Sequence, residues 1–186
     1  MGSHTCLSYE HEEGLLELLG SFFEQGFKVN EFCLWIVPCP LGVEGAKSAL
    51  GKKIKGLDNY IKDGKFELVS HKDVYLKDGF FDSAKPLKLL AQKEKDVLKR
   101  GFSGLRISGD AGWLPDEEWE KMSLYEKEAD KIISGGKITA LCTYPSAKFD
   151  TAKLFRLSFS HKLVISKGKG RTDILMDKRD IFNSAF

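Results

Sequence analysis

The chain lacks a phosphate loop: the pattern Gly-x-x-x-x-Gly-Lys-Ser/Thr occurs nowhere in its 186 residues. Such loops work because closely spaced glycines let backbone N–H groups surround phosphates, while a lysine and a hydroxyl engage the terminal phosphates and magnesium. "GKGRT" (168–172) has glycines and cations but not that spacing, and it follows a late strand. Long apolar runs are missing too. Nothing approaches the roughly 18 uninterrupted apolar residues of a membrane span, and the first residues show no basic-then-apolar secretory signal. A net charge of +2 gives no field strong enough to announce nucleic acid or a membrane as a direct partner. Cysteine is scarce. Cys6, Cys33, Cys39 and Cys142 sit mostly inside apolar runs, and without an export signal they read as reduced, buried thiols of a cytoplasmic protein. His4 and Cys6 share a strand face, but no C-x-x-C or H-x-x-x-H spacing exists, so neither a metal nor another cofactor is expected. Repeats, low-complexity segments and interdomain linkers are also absent.

What is present is a globular composition, 42% hydrophobic and 30% charged with 13 Phe, at a length that suits one domain. "FCLWIV" (32–37) is continuously apolar, as suits a strand covered on both faces of a parallel sheet. Similar runs are "TCLSY" (5–9), "FELVS" (66–70), "LRIS" (105–108), "ITALCTY" (138–144) and "LVIS" (163–166). Helical periodicity lies between them, over about 12–27, 43–54, 84–100 and from "LPDEEW" to "SGG" at 134–136; Gly26 suits the first helix's C-terminus. Strand and helix in alternation predict an α/β fold of three layers, a mainly parallel sheet flanked by helices. Residues 169–186 have weak periodicity and read as a final helix or a connection to another module.

The first strand–helix junction, "LSYEHEEGLLELLG" (7–20), places Tyr9, Glu10 and two more carboxylates where a nucleotide-binding fold would place its glycines. Carboxylates there repel a triphosphate. Strand ends are where such sheets bind ligands, so Tyr9 and Glu10 are candidates; the other reading is a helix start whose acids favour the dipole. Arg106 interrupts an apolar strand and Glu126 an apolar helix stripe of Trp119, Met122, Ala129 and Ile133, and each requires a partner if buried. We therefore expect Arg106 and Glu126 to approach one another, as a structural pair or as one wall of a pocket. Trp113, delivered by the turn "GDAG", is a lid over an apolar cavity or a core plug. Tyr75, Phe80 and Phe81 surround an Asp-Gly turn that either covers a site or anchors a loop. The lysine-rich helix at 84–100 reads as a solvated face.

Across residues 4 to about 168 the order of "HTCLSYEHEEGLLELLGSFFEQGFKVNEFCLWIV", "VYLKDGFFD", "GLRISGDAGWL", "YEKEADKI" and "ALCTYP" resembles the MEDS family, the methanogen/methylotroph sensory domain named after a dichloromethane-responsive regulator. The resemblance implies a RecA-like fold without its phosphate loop. It also implies a non-catalytic role, sensing small hydrocarbon derivatives on behalf of a histidine kinase or DNA-binding output module, attached or separate. The expected division is a sensory domain at 1–168 and an extension or connection at 169–186. The candidate ligand-binding set is His4, Tyr9, Glu10, Tyr75, Arg106, Trp113 and Glu126. A nucleotide-binding or phosphohydrolase enzyme and a pure interaction module are the rival readings, and a homodimer is left open.

Overall fold

The computed structural model describes residues 2–38 and 40–177. The buried-thiol reading of Cys39 and the end of the C-terminal extension, 178–186, fall outside them. In chain order the elements are β1 (Ser3–Tyr9), α1 (Glu12–Lys28), β2 (Phe32–Val37), α2 (Gly42–Gly51), α3 (Leu57–Lys62), β3 (Phe66–Ser70) and α4 (His71–Tyr75). Then follow β4 (Leu76–Lys77), β5 (Phe80–Phe81), α5 (Ala84–Lys99), β6 (Leu105–Asp110), α6 (Trp119–Gly135), β7 (Ile138–Pro145), α7 (Thr151–Ser158), β8 (Leu163–Gly168) and β9 (Arg171–Asp177).

Seven strands form one sheet in the order β3-β2-β6-β7-β1-β8-β9, every pair parallel except β8–β9. Side chains alternate along each strand, so the apolar runs feed two cores. From β2, Phe32, Leu34 and Ile36 enter the core shared with α4 to α7, while Cys33, Trp35 and Val37 enter the core under α1, α2 and α3. Helix, sheet and helix thus make the expected three layers.

Three local expectations differ. Residues 171–177 form a strand, not a helix: they pair antiparallel with β8 at the sheet edge, where Ile174 and Leu175, on opposite faces, are both exposed, so no buried face imposes an apolar period. The expected division after residue 168 falls in the turn between these two strands. Gly26 lies inside α1 rather than ending it. It is there for space, because a Cβ would sit 2.6 Å from Arg106 Cδ and 2.7 Å from Cys33 Sγ. The helix expected over 43–54 stops at Gly51. Cys6, Cys33 and Cys142 are free thiols.

Candidate functional site

Tyr9 ends β1 and Asp110 ends β6, and the Tyr9 hydroxyl donates to Asp110 Oδ2 at 2.9 Å. Thr143 Oγ1 donates to the same oxygen at 2.8 Å, and the Gly112 amide donates to Oδ1 at 2.7 Å. Burial raises the Asp110 pKa despite these three donors, and burial with the nearby Asp110 charge raises that of Tyr9. Glu10 points outward beside His11, its carboxylate 3.9 Å from that ring. Glu12 and Glu13 occupy the first turn of α1. The strand-to-helix junction therefore presents a ring locked onto a carboxylate, with Glu10 in solvent.

Beyond Asp110 the strand ends are roofed by aromatic side chains. Tyr75 closes α4 and packs so tightly on β6 that a Cβ at Gly109 would lie 2.2 Å from its hydroxyl. Trp113 stacks on Tyr75 at 5.2 Å between centroids and on His71 at 5.8 Å, with Phe81 edge-on at 5.6 Å. Phe81 is held by a two-residue hairpin between β4 and β5, where Asp78 (φ 53) and Gly79 (φ 84) both take left-handed conformations, the turn that an Asp-Gly pair favours. Trp113 thus belongs to the roof, but its buried indole N–H has no hydrogen-bond partner among the described residues. Beneath lies a cavity of about 10 Å³ lined by Tyr75, Gly109, Asp110, Ala111, Met122, Tyr125, Glu126, Cys142 and Tyr144, room for about one water molecule.

Two residues of that cavity wall, Glu126 and Cys142, also belong to a buried polar cluster behind it. His4 comes from β1, Cys142 from β7, Glu126 from the inner stripe of α6, and His161 from the connection between α7 and β8; one donor atom from each lies within 4.8 Å of the others. Strand pairing sets His4 opposite Ala140 and Cys6 opposite Cys142, so His4 and Cys142 share a sheet face. Glu126 Oε1 accepts from the Tyr144 hydroxyl at 2.7 Å. Its Oε2 faces His4 Nε2 at 3.4 Å and His161 Nε2 at 3.7 Å. Burial opposes charge on His4, but Cys142, Asp130 and Glu126 outweigh it and raise its pKa well above the usual 6.5. Burial likewise opposes charge on Glu126, yet the two histidines and Tyr144 hold its pKa below the usual carboxylate value. Burial and the adjacent His4 push His161 down to about 4.

The expected approach of Arg106 to Glu126 is not found. Arg106 Nε donates to Glu31 Oε2 at 2.6 Å, Thr139 Oγ1 donates to Glu31 Oε1 at 3.1 Å, and the guanidinium lies 4.7 Å over the Phe22 ring. The reason is strand parity: Arg106 projects to the α1 face of the sheet and Glu126 approaches from the α6 face. Of the candidate set, Tyr75 and Glu126 line the cavity, His4 joins Glu126 behind it, Trp113 lies in its roof, and Tyr9 reaches it only through Asp110. Glu10 and Arg106 lie apart. Sequence reasoning missed His161, Asp110 and Tyr144. His161 sits in an irregular connection with no periodicity to flag it, whereas Asp110 at the end of an apolar strand was a readable signal.

The class of protein follows from the fold. A solved structure of a KaiC-like protein from the hyperthermophilic archaeon Pyrococcus horikoshii is similar with a TM-score of 0.66, over 95% of this chain and 80% of that one, at 14% identity. The architecture is therefore RecA-like, of the KaiC kind. More particularly, the model of the MEDS family, the MEthanogen/methylotroph, DcmR Sensory domain, matches residues 3–162, and the chain belongs to that family. It is a non-catalytic sensory domain. No curated protein matches it.

Proposed function

We propose that the domain senses a small, weakly polar molecule, of the size of a one- to three-carbon hydrocarbon derivative, in the cavity beneath Tyr75 and Trp113. The observation that carries this reading is the cavity itself, at strand ends where the fold has no phosphate chemistry to offer. Its walls are the aromatic rings of Tyr75, Tyr125 and Tyr144 and the thioether of Met122, with Asp110, Glu126 and Cys142 as the polar minority, the mixture that binds and orients small organic ligands. A volume of about 10 Å³ is too small for several carbon atoms. Binding therefore requires Tyr75 and Trp113 to move, and with them α4 and the β4–β5 hairpin. That obligatory movement couples occupancy to shape, and a ligand that binds one shape better shifts the population towards it.

The output is a histidine kinase or DNA-binding module, attached or separate, that reads the displaced hairpin, where Phe80 is 70% exposed. Among the described residues no helix is long and apolar enough to cross a membrane, and a cytoplasmic setting fits this partner. Calorimetry against one- to three-carbon halides and alcohols tests the reading. Saturable binding that Trp113→Ala weakens supports it. Stabilisation by nucleotides alone moves the assignment to a nucleotide-binding protein, because a ligand that binds only the native state raises its apparent stability. If nothing small binds while an output module still docks, the domain is an interaction module.

A further inference from the structure

Behind the cavity wall four side chains converge on a point that no hydrogen-bond scheme satisfies. His161 Nδ1 donates to the Leu157 carbonyl at 2.7 Å; a carbonyl only accepts, so in the neutral ring Nε2 carries the lone pair. That Nε2 is buried, aims into the cluster and has no hydrogen-bond partner among the described residues. His4 repeats the arrangement: Nδ1 lies 2.9 Å from the Ser160 carbonyl and 3.2 Å from Asp130 Oδ1, which turns Nε2 inward. Nε2 of His4 is 3.3 Å from Cys142 Sγ and 3.4 Å from Glu126 Oε2, Cys142 Sγ is 3.9 Å from Glu126 Oε2, and His161 Nε2 is 3.7 Å from that same oxygen. All four residues come from different elements, and both histidine side chains are wholly buried.

The separations carry the argument. A tetrahedral zinc ion, with bonds of about 2.0–2.1 Å to nitrogen and oxygen and about 2.3 Å to sulfur, requires donor–donor edges of about 3.3–3.6 Å. Four of the six edges, 3.3, 3.4, 3.7 and 3.9 Å, fall at or within a few tenths of an ångström of that range, and the other two lie within 4.8 Å. We propose that His4 Nε2, His161 Nε2, Cys142 Sγ and Glu126 Oε2 form a binding site for a zinc-class divalent metal ion. Two imidazoles, one thiolate and one carboxylate suit such an ion and disfavour magnesium or calcium, which take oxygen donors. Binding displaces the Cys142 thiol proton and any proton on His4 Nε2 to solvent, and forms four metal–ligand bonds with no change of oxidation state. Each histidine keeps its second ring nitrogen on a carbonyl, the outer contact that metal-ligating histidines characteristically make. The site stands apart from the proposed hydrocarbon reading, although Glu126 and Cys142 face both.

The test is titration of the chelator-treated full chain with Co²⁺ as the probe. The expected result is saturation at one equivalent, with intense visible absorption of tetrahedral cobalt and a near-ultraviolet sulfur-to-cobalt charge-transfer band. Cys142→Ser abolishes that band, and His161→Ala weakens binding at least about tenfold. Asp130→Asn, at a partly exposed position whose loss spares the core, weakens it by about ten- to hundredfold through the orientation of His4. A pale octahedral spectrum, no saturation at one equivalent, or a charge-transfer band unchanged in Cys142→Ser overturns the site. Cobalt binding without small-molecule binding removes the hydrocarbon reading and keeps the metal; the converse removes the metal and keeps the ligand.

Discussion

Asp110 shows how a single side chain can be both over-supplied with donors and uncomfortable. Three donors reach it, from Tyr9, Thr143 and the Gly112 amide, yet burial still raises its pKa above the usual aspartate value of 3.8. An acid whose folded pKa is raised favours folding fully below its unfolded pKa, and the contribution is lost as pH rises through the folded value. Asp110→Asn cannot ionise, so it lacks that loss, but it replaces an acceptor by an NH₂ group and leaves a donor unpaired, at a cost of about 1–3 kcal/mol. The stability gap between wild type and variant, measured by urea unfolding, should therefore narrow as pH climbs from 3.8 through the raised value. A gap that widens contradicts the assignment. Legibility divides at this scale. That Glu126 needed a partner was readable from the α6 stripe, because helical spacing fixes which residues turn inward. Which partner it found was not, since the answer depended on the sheet face to which Arg106 pointed, and that parity follows only from how β6 packs.

Among the elements, α1 illustrates a glycine retained for clearance. In an exposed helix Gly→Ala stabilises by about 1 kcal/mol, whereas forcing a methyl group into a filled core costs about 1–3 kcal/mol. At Gly26 the second effect should win, because the added Cβ meets Arg106 Cδ at 2.6 Å and Cys33 Sγ at 2.7 Å. Gly26→Ala is expected to lower stability by about 1–2 kcal/mol, read as a lower urea midpoint with unchanged m-value; a stabilised variant would show that the Arg106–Glu31 pair yields freely. The long elements were visible in the sequence because parallel strands bury both faces and leave unbroken apolar runs. The short ones were not. α3, α4 and α7 are six, five and eight residues long, too brief for a period to emerge, and β9 is an edge strand with exposed Ile174 and Leu175. The β4–β5 pair announced itself only through its Asp-Gly turn.

For the molecule as a whole, sheet order matters more than any single contact. β1 opens the chain yet lies between β7 and β8, so its partners are residues 139–145 and 163–167. A chain ended after residue 137 lacks both neighbours, and we expect it to show no cooperative urea transition and full protease susceptibility; a cooperative transition in that fragment would mean that β2, β3 and β6 fold as an independent unit. The same order bears on how the protein is made. At about 5–20 residues per second a ribosome needs on the order of ten seconds between releasing β1 and releasing β7. Throughout that interval "TCLSY" and its apolar neighbours wait unpaired, a demand for shelter by the ribosome or a chaperone that lies in topology rather than in composition.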